Sequence, residues 1–253
     1  MQLSLHDILK HRDKKIAILV DPDKVNSAND LDPLIKKIEA LESAFIFVGG
    51  STVAPKDFEA CVSTIKQKCN IPVILFPGSS QQISDKADGI LFLSLISGRN
   101  PDFLIGHQVE SAHLLKRMDI EVIPTGYILV DGGTTSAVSY VSQTTPIPAD
   151  QITIAVNTAI AGEMLGLKAL FMDAGSGAKT PIDRKMIEAV KQNINIPLII
   201  GGGIKTTEDI EAALGAGADL IVIGNRIEED ANFLLDIKML MKNENFYSLK
   251  NMN

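Results

Sequence analysis

The chain has no tryptophan, only two cysteines and just 5% aromatic residues in 253 positions. Cys61 and Cys69 are too few to build a zinc site alone or a disulfide framework. They read as reduced thiols of a cytosolic protein, in an amphipathic helix followed by a loop. Positive charge is not in excess either: 24 Lys+Arg against 31 Asp+Glu leave a net charge of −7. That balance argues against nucleic acid or an anionic membrane as a partner held by a broad basic surface. No apolar run approaches the roughly 20 residues that span a bilayer. The amino-terminal MQLSLHDILKHRDKK is polar at every third or fourth position, unlike a signal peptide. Low-complexity tracts and linkers are missing as well. The expectation is a cytoplasmic chain forming one domain, residues 1–253.

What is present is ordinary globular composition, 45% hydrophobic and 22% charged, arranged in a regular alternation. Eight short runs rich in Val, Ile and Leu, bounded by Gly, Pro or Asp, lie at 15–22, 44–50, 71–78, 88–96, 121–131, 168–175, 197–203 and 220–227. None alternates cleanly between apolar and polar, which is the pattern of strands buried on both faces of a parallel sheet. Helical spacing fills most gaps between them: Leu31, Ile35, Ile38 and Leu41; Leu104, His107 and Val109 with Leu114 and Leu115; Ile210, Ala213 and Leu214. Eight strand and helix alternations predict an α/β fold of the (β/α)8 TIM-barrel kind.

Two connections depart from that ideal. SSQQISDKA at 79–87 can hold little more than one or two helical turns, so the third helix is expected to be shortened or missing. The 132–167 segment is long, a polar loop followed by a predicted helix over 152–165. There is also an internal echo: IPVILFPG with ADGILFLS resembles IPLIIGGG with ADLIVIGN, as in a barrel built from two related halves.

Barrel active sites lie at the carboxyl ends of the strands. Here those ends are DPDK at 21–24, GGST at 49–52, PGSS at 77–80, SGRN at 97–100, Tyr127 with VDGG at 130–133, DAGSG at 173–177, GGGIK at 201–205 and GNR at 224–226. Almost all are glycine, hydroxyl or carboxylate. Gly201, Gly202 and Gly203 precede a helix with the predicted cap Thr206, and Gly224-Asn225 leads to a helix expected near Glu228. Glycines let backbone amides approach an anion, so the last two strand ends point to a phosphate-bearing ligand. Gly175, Ser176 and Gly177 add amides and a hydroxyl, and Asp173 is placed to accept from a substrate hydroxyl or act as general base. Asp21 and Asp23, facing Ser51 and Thr52 on the adjacent strand, form a plausible oxygen environment for Mg²⁺. His6, His11, His107 and His113 have no metal-binding spacing and are expected on helix surfaces.

Taken together, LVDPDK at 19–24, FVGGST at 47–52, SGRNPDFLIG at 97–106, PTGYILVDGG at 124–133, FMDAGSGA at 171–178, IGGGIKT at 200–206 and VIGNRIE at 222–228 resemble geranylgeranylglyceryl phosphate synthases. These prenyltransferases attach an isoprenoid chain to sn-glycerol 1-phosphate in ether-lipid synthesis. The similarity runs from about residue 5 to 240. It implies that Asp21 and Ser51 hold Mg²⁺ at the diphosphate. It also implies that Phe171, Met172, Asp173, Ala174, Gly175, Ser176, Gly177, Gly202, Gly203, Gly224 and Asn225 bind glycerol 1-phosphate. Two departures stand out: the family usually has Tyr-Leu-Glu where this chain has Phe171-Met172-Asp173, and Leu19 takes a position that carries lysine in one branch, so the chain resembles the other branch. The implied reaction has the glycerol C3 hydroxyl, with Asp173 as its base, attack the allylic carbon of a polyprenyl diphosphate. Arg99 is a candidate helper at the diphosphate, and the short connection after the third strand is a place for the apolar chain. A homo-oligomer and transient membrane contact are expected. Two alternatives remain open: another phosphate-binding barrel enzyme, an isomerase or synthase, or a non-catalytic sugar-phosphate-binding protein.

Overall fold

The computed structural model describes residues 4–10, 15–25, 28–41, 45–50 and 52–242. Eight parallel strands close into a barrel in sequence order: β1 (Lys15–Val20), β2 (Phe45–Val48), β3 (Val73–Leu75), β4 (Gly89–Leu95), β5 (Glu121–Leu129), β6 (Ala169–Asp173), β7 (Leu198–Gly201) and β8 (Leu220–Ile223). Around them run α1 (Leu5–Lys10), α2 (Ala28–Glu39), α3 (Pro55–Lys68), α4 (His107–Leu115), α5 (Ala137–Ser142), α6 (Ile152–Met164), α7 (Arg184–Lys191), α8 (Thr207–Gly215), α9 (Asn225–Glu229) and α10 (Phe233–Lys242). Each of the eight predicted runs contains one strand.

Side chains alternate across each strand. Phe45 and Phe47 of β2 belong to the cluster that fills the barrel, while Ile46 and Val48 pack with the helices. On β6 the same alternation sends Ala169 and Phe171 inward and Leu170 and Met172 outward. The next inward position, at the carboxyl rim, is Asp173.

The 76–88 connection carries no helix. Gln82 occupies the gap instead, almost fully buried. Its Nε2 donates to Gly50 O (3.0 Å) and Val53 O (3.2 Å), and its Oε1 accepts from Gly78 N–H (2.8 Å). One amide thereby ties the ends of β2 and β3 together where a helix would otherwise cover them.

One expected helix face holds only at Leu115. On α4 the buried positions are Gln108, Ser111 and Leu115, whereas Val109 and Leu114 are 68% and 48% exposed. The inner face of α4 borders a cavity rather than a packed core, so apolar spacing did not mark it. Cys61, within α3, and Cys69, just after it, are free and buried. Burial, with a smaller push from the Asp21 charge, raises the Cys61 thiol to about 12, which keeps it protonated.

The internal echo has a structural counterpart. Asp88 Oδ2 accepts from Val73 N–H (2.6 Å) and pairs with Lys66 of α3 (2.8 Å). Asp219 Oδ2 accepts from Leu198 N–H (2.7 Å) and pairs with Lys191 of α7 (2.7 Å). Each Ala-Asp dipeptide locks the start of one strand to the next and to the preceding helix. Asp219→Ala strands the buried Leu198 N–H and is expected to cost about 1–3 kcal/mol in urea denaturation, whereas Lys191→Met, which leaves that bond intact, should cost under about 1 kcal/mol.

Candidate active site

The strand ends open into a cavity of about 480 Å³, within the range of small-molecule sites. One part is a polar rim at the ends of β1, β2, β6, β7 and β8. The other is an apolar arm beneath the helix-free connection, walled by Ile83, Ile90, Phe92, Leu93 and Phe103, with His107, Gln108 and Ser111 of α4 at its edge.

The rim is built from backbone. Gly175, Gly177, Gly202 and Gly203 have φ of +92°, +74°, +78° and +72°, a region that side chains disfavour. A Cβ on Gly202 would lie 2.4 Å from Asp173 Oδ1, and one on Gly203 2.6 Å from Thr180 O. These loops therefore pass as close to one another as backbone allows. Ser176 Oγ donates to Asn225 Oδ1 (3.1 Å), which joins the β6 and β8 ends. Thr206 caps α8 through a capping box with Asp209, as expected. The helix after Gly224, however, starts at Asn225 rather than near Glu228, and α9 is five residues long. Individual amides, not a helix dipole, are what it offers an anion. Lys205 and Arg226 add positive charge on this side. Arg226 is held over the Phe233 ring at 5.2 Å and donates to Lys205 O.

Asp173 sits at the boundary between rim and arm. Its Oδ1 accepts from Gly175 N–H (2.8 Å), and its Oδ2 accepts from the Tyr127 hydroxyl. Burial pushes the carboxyl above its ordinary range, opposed by those two donors. Beneath it Phe171 stacks on Phe76 (centroids 4.9 Å apart) and Tyr127 (5.6 Å), a wall of three rings facing the cavity.

Asp21 lines the opposite side. Its Oδ1 accepts from Asp23 N–H (3.1 Å), and Thr52 Oγ1 donates to Asp23 Oδ2 (2.9 Å). Desolvation raises the Asp21 carboxyl, opposed by Asp23 N–H and Lys24, and Lys24 itself is paired with Glu228 at 2.5 Å. No group of three or more His, Cys, Asp or Glu suited to a metal occurs among the described residues. A single desolvated carboxylate facing a cavity fits Mg²⁺ held largely by substrate oxygens.

Not every expected residue reaches the cavity. Met172 and Ala174 point into the helix layer because strand alternation turns them away from Phe171 and Asp173. Arg99 folds back onto Gly98 O (2.6 Å) and Ile96 O. Ser51 lies outside the described residues. His113 is exposed, whereas His107 is half-buried and lines the arm, with its Nδ1 buried and 3.7 Å from the Glu110 carboxylate. Tyr127 was visible as a strand-end residue without a role. Counting alternate positions back from Leu129 on β5 would have turned it inward, and the register with β6 sets it beside Phe171.

The chain matches the PcrB family over residues 6–242. A geranylgeranylglyceryl phosphate synthase of Chitinophaga pinensis is 50% identical over 224 residues, 88% of each chain. One of Thermococcus kodakarensis is 43% identical over 226 residues, 89% of this chain and 88% of that one. The crystal structure of (S)-3-O-geranylgeranylglyceryl phosphate synthase from Thermoplasma acidophilum, in complex with substrate sn-glycerol-1-phosphate, is similar at 34% identity and TM-score 0.89, covering 100% of both chains.

Gly202→Ala should lower the thermal midpoint more than Gly166→Ala. Both positions have positive φ, a backbone cost of about 1–2 kcal/mol, but a Cβ at Gly166 meets nothing within 4 Å. Equal losses would mean that the contact with Asp173 is unimportant.

Proposed function

The chain belongs to the PcrB family, and on that premise we propose that it is a geranylgeranylglyceryl phosphate synthase, joining a geranylgeranyl group to the C3 hydroxyl of sn-glycerol 1-phosphate with release of diphosphate. The observation that carries this reading is the junction at Asp173: a glycine clamp suited to a phosphate on one side, and an apolar arm suited to a prenyl chain on the other. The relatives named for this activity and the neighbour solved with sn-glycerol-1-phosphate support it.

The chain's own groups account for most of the reaction. The amides around Gly177, Gly202, Gly203 and Asn225, with Ser176 and nearby Lys205 and Arg226, hold the phosphate and so fix the glycerol. A substrate held this way loses translational freedom before reaction, which is where much of the rate gain originates. Asp173 accepts the C3 hydroxyl proton as that oxygen bonds to C1 of the prenyl chain. The bond from C1 to diphosphate breaks, and its electron pair leaves with the diphosphate. The arm along the 76–88 connection, β4 and α4 shields the prenyl chain from water. Asp21 and Ser51 would hold Mg²⁺, which when bound would supply charge neutralisation for the leaving diphosphate. The raised Asp21 carboxyl supports that assignment, since a cation would offset its desolvation.

We also place the protein in the cytoplasm as a homo-oligomer in transient contact with membrane. Exposed Ile105, Val109 and Leu114 around α4, with Met164 and Leu165 at the end of α6, support an apolar assembly or contact surface. Among the described residues no helix is long and apolar enough to cross a membrane.

Incubation with Mg²⁺, labelled sn-glycerol 1-phosphate and geranylgeranyl diphosphate should give an organic-extractable phosphate product. Asp21→Ala should lower that rate at least about a hundredfold. No product from the unaltered protein would reject the function, and near-normal turnover of the variant would reject the metal assignment.

A further inference from the structure

We propose that Tyr127 is a positioning residue that fixes the Asp173 carboxylate and keeps it ionised for proton acceptance, an inference that rests on the prenyl-transfer reading of the same site. The pair is set by strand register. Tyr127 of β5 lies opposite Phe171 of β6, one inward position below Asp173, so its ring stacks on Phe171 while its hydroxyl reaches up to Asp173 Oδ2. Tyr127 is 5% exposed. Its ring also stands 6.1 Å from Phe76. A buried ring packed against two others has little rotamer freedom, so the hydroxyl is delivered to one place.

The two carboxylate oxygens are thereby divided between two donors. Gly175 N–H holds Oδ1, Tyr127 holds Oδ2, and the backbone of Gly202 closes the far side of Oδ1. Each oxygen keeps lone-pair capacity for a substrate hydroxyl while the side chain cannot turn away. Tyr127 itself stays protonated, since burial and the neighbouring Asp173 charge raise its hydroxyl well above the ordinary tyrosine value. The other charged or titratable groups lining the cavity are Asp21 and Lys24 after β1, His107 on α4, Lys205 after β7, and Arg226, Glu228 and Glu229 on α9. Among the described residues none of these has a hydrogen bond to Asp173; the side-chain donor is Tyr127.

The sign of the effect follows. Burial raises the Asp173 carboxyl, and the Tyr127 hydroxyl opposes that rise by bonding to the charged form. Removing the hydroxyl alone therefore lets the value climb further, and a base that must be ionised loses activity at a higher pH. Tyr127→Phe keeps the ring stack, which separates the hydroxyl from packing.

Two measurements test this. In protein labelled with ¹³C at aspartate carboxyls and free of substrate, the Asp173 resonance, identified by its absence in Asp173→Asn, should titrate about one pH unit higher in Tyr127→Phe than in the unaltered chain. An unchanged midpoint overturns the proposal, whether or not the protein transfers prenyl groups. In the prenyl-transfer assay, kcat of Tyr127→Phe should fall by up to about tenfold below the raised midpoint, and the loss should shrink as pH rises. KM for sn-glycerol 1-phosphate should move far less, because the phosphate clamp is untouched. A loss uniform across pH, or one confined to KM, overturns the proposal as a packing or binding effect. An unaltered protein whose Asp173 titrates as expected but which forms no product refutes the prenyl-transfer reading and leaves the Tyr127–Asp173 pair standing.

Discussion

A closed barrel of eight parallel strands has to fill its own interior with every second side chain, and most other features of this protein follow from that constraint. Phe45, Phe47, Ile74, Leu91, Ile123, Phe171 and Ile199 are among the side chains that do so. A polar group buried at mid-barrel has to be satisfied locally, as the Thr125 hydroxyl is by donating to Ile123 O (2.8 Å), whereas a carboxylate open to a ligand fits at the top of the strands, where the barrel meets the cavity. Asp173 is such a position. The same alternation that makes Phe171 a core residue makes Asp173 a rim residue two positions later, and a shift of one residue would bury the carboxylate among helices instead.

Closure also explains how an acidic chain holds anionic ligands. With a net charge of −7, broad basic surface is not available. Backbone amides at glycines, a few cations on one side of the cavity and a desolvated carboxylate suited to Mg²⁺ take its place. The glycines are required sterically as well as chemically: Gly202 and Gly203 sit where any Cβ would strike Asp173 or Thr180. On the other side of Asp173 the missing third helix leaves room for the apolar arm, and Gln82 holds the loops that a helix would have covered.

The strands were legible in the sequence because burial on both faces demands continuous Val, Ile and Leu runs. The glycine rim was legible because its glycines fall where those runs stop. Positions set by alternation were harder to read. The 171–177 stretch looked like one continuous binding segment, yet Met172 and Ala174 face the helices. On α4 the usual link between apolar spacing and buried face held for Leu115 but failed elsewhere, since Gln108 and Ser111 line a cavity and Val109 and Leu114 point outward. The start of α9 was placed three residues late because Gly224-Asn225 reads as a turn until tertiary packing draws Asn225 into the helix. The Tyr127 contact with Asp173 depends on strand register between β5 and β6, which no local pattern encodes.

A cavity that serves both substrates has to place a glycerol phosphate so that its free hydroxyl meets Asp173. A crystal structure of the protein with sn-glycerol 1-phosphate would reveal that placement. The predicted result is a phosphate held by amides at Gly177, Gly203 and Asn225, with the C3 hydroxyl donating to Asp173 and pointing toward the apolar arm. A phosphate bound away from these glycines, or a C3 hydroxyl turned from Asp173, would contradict the account.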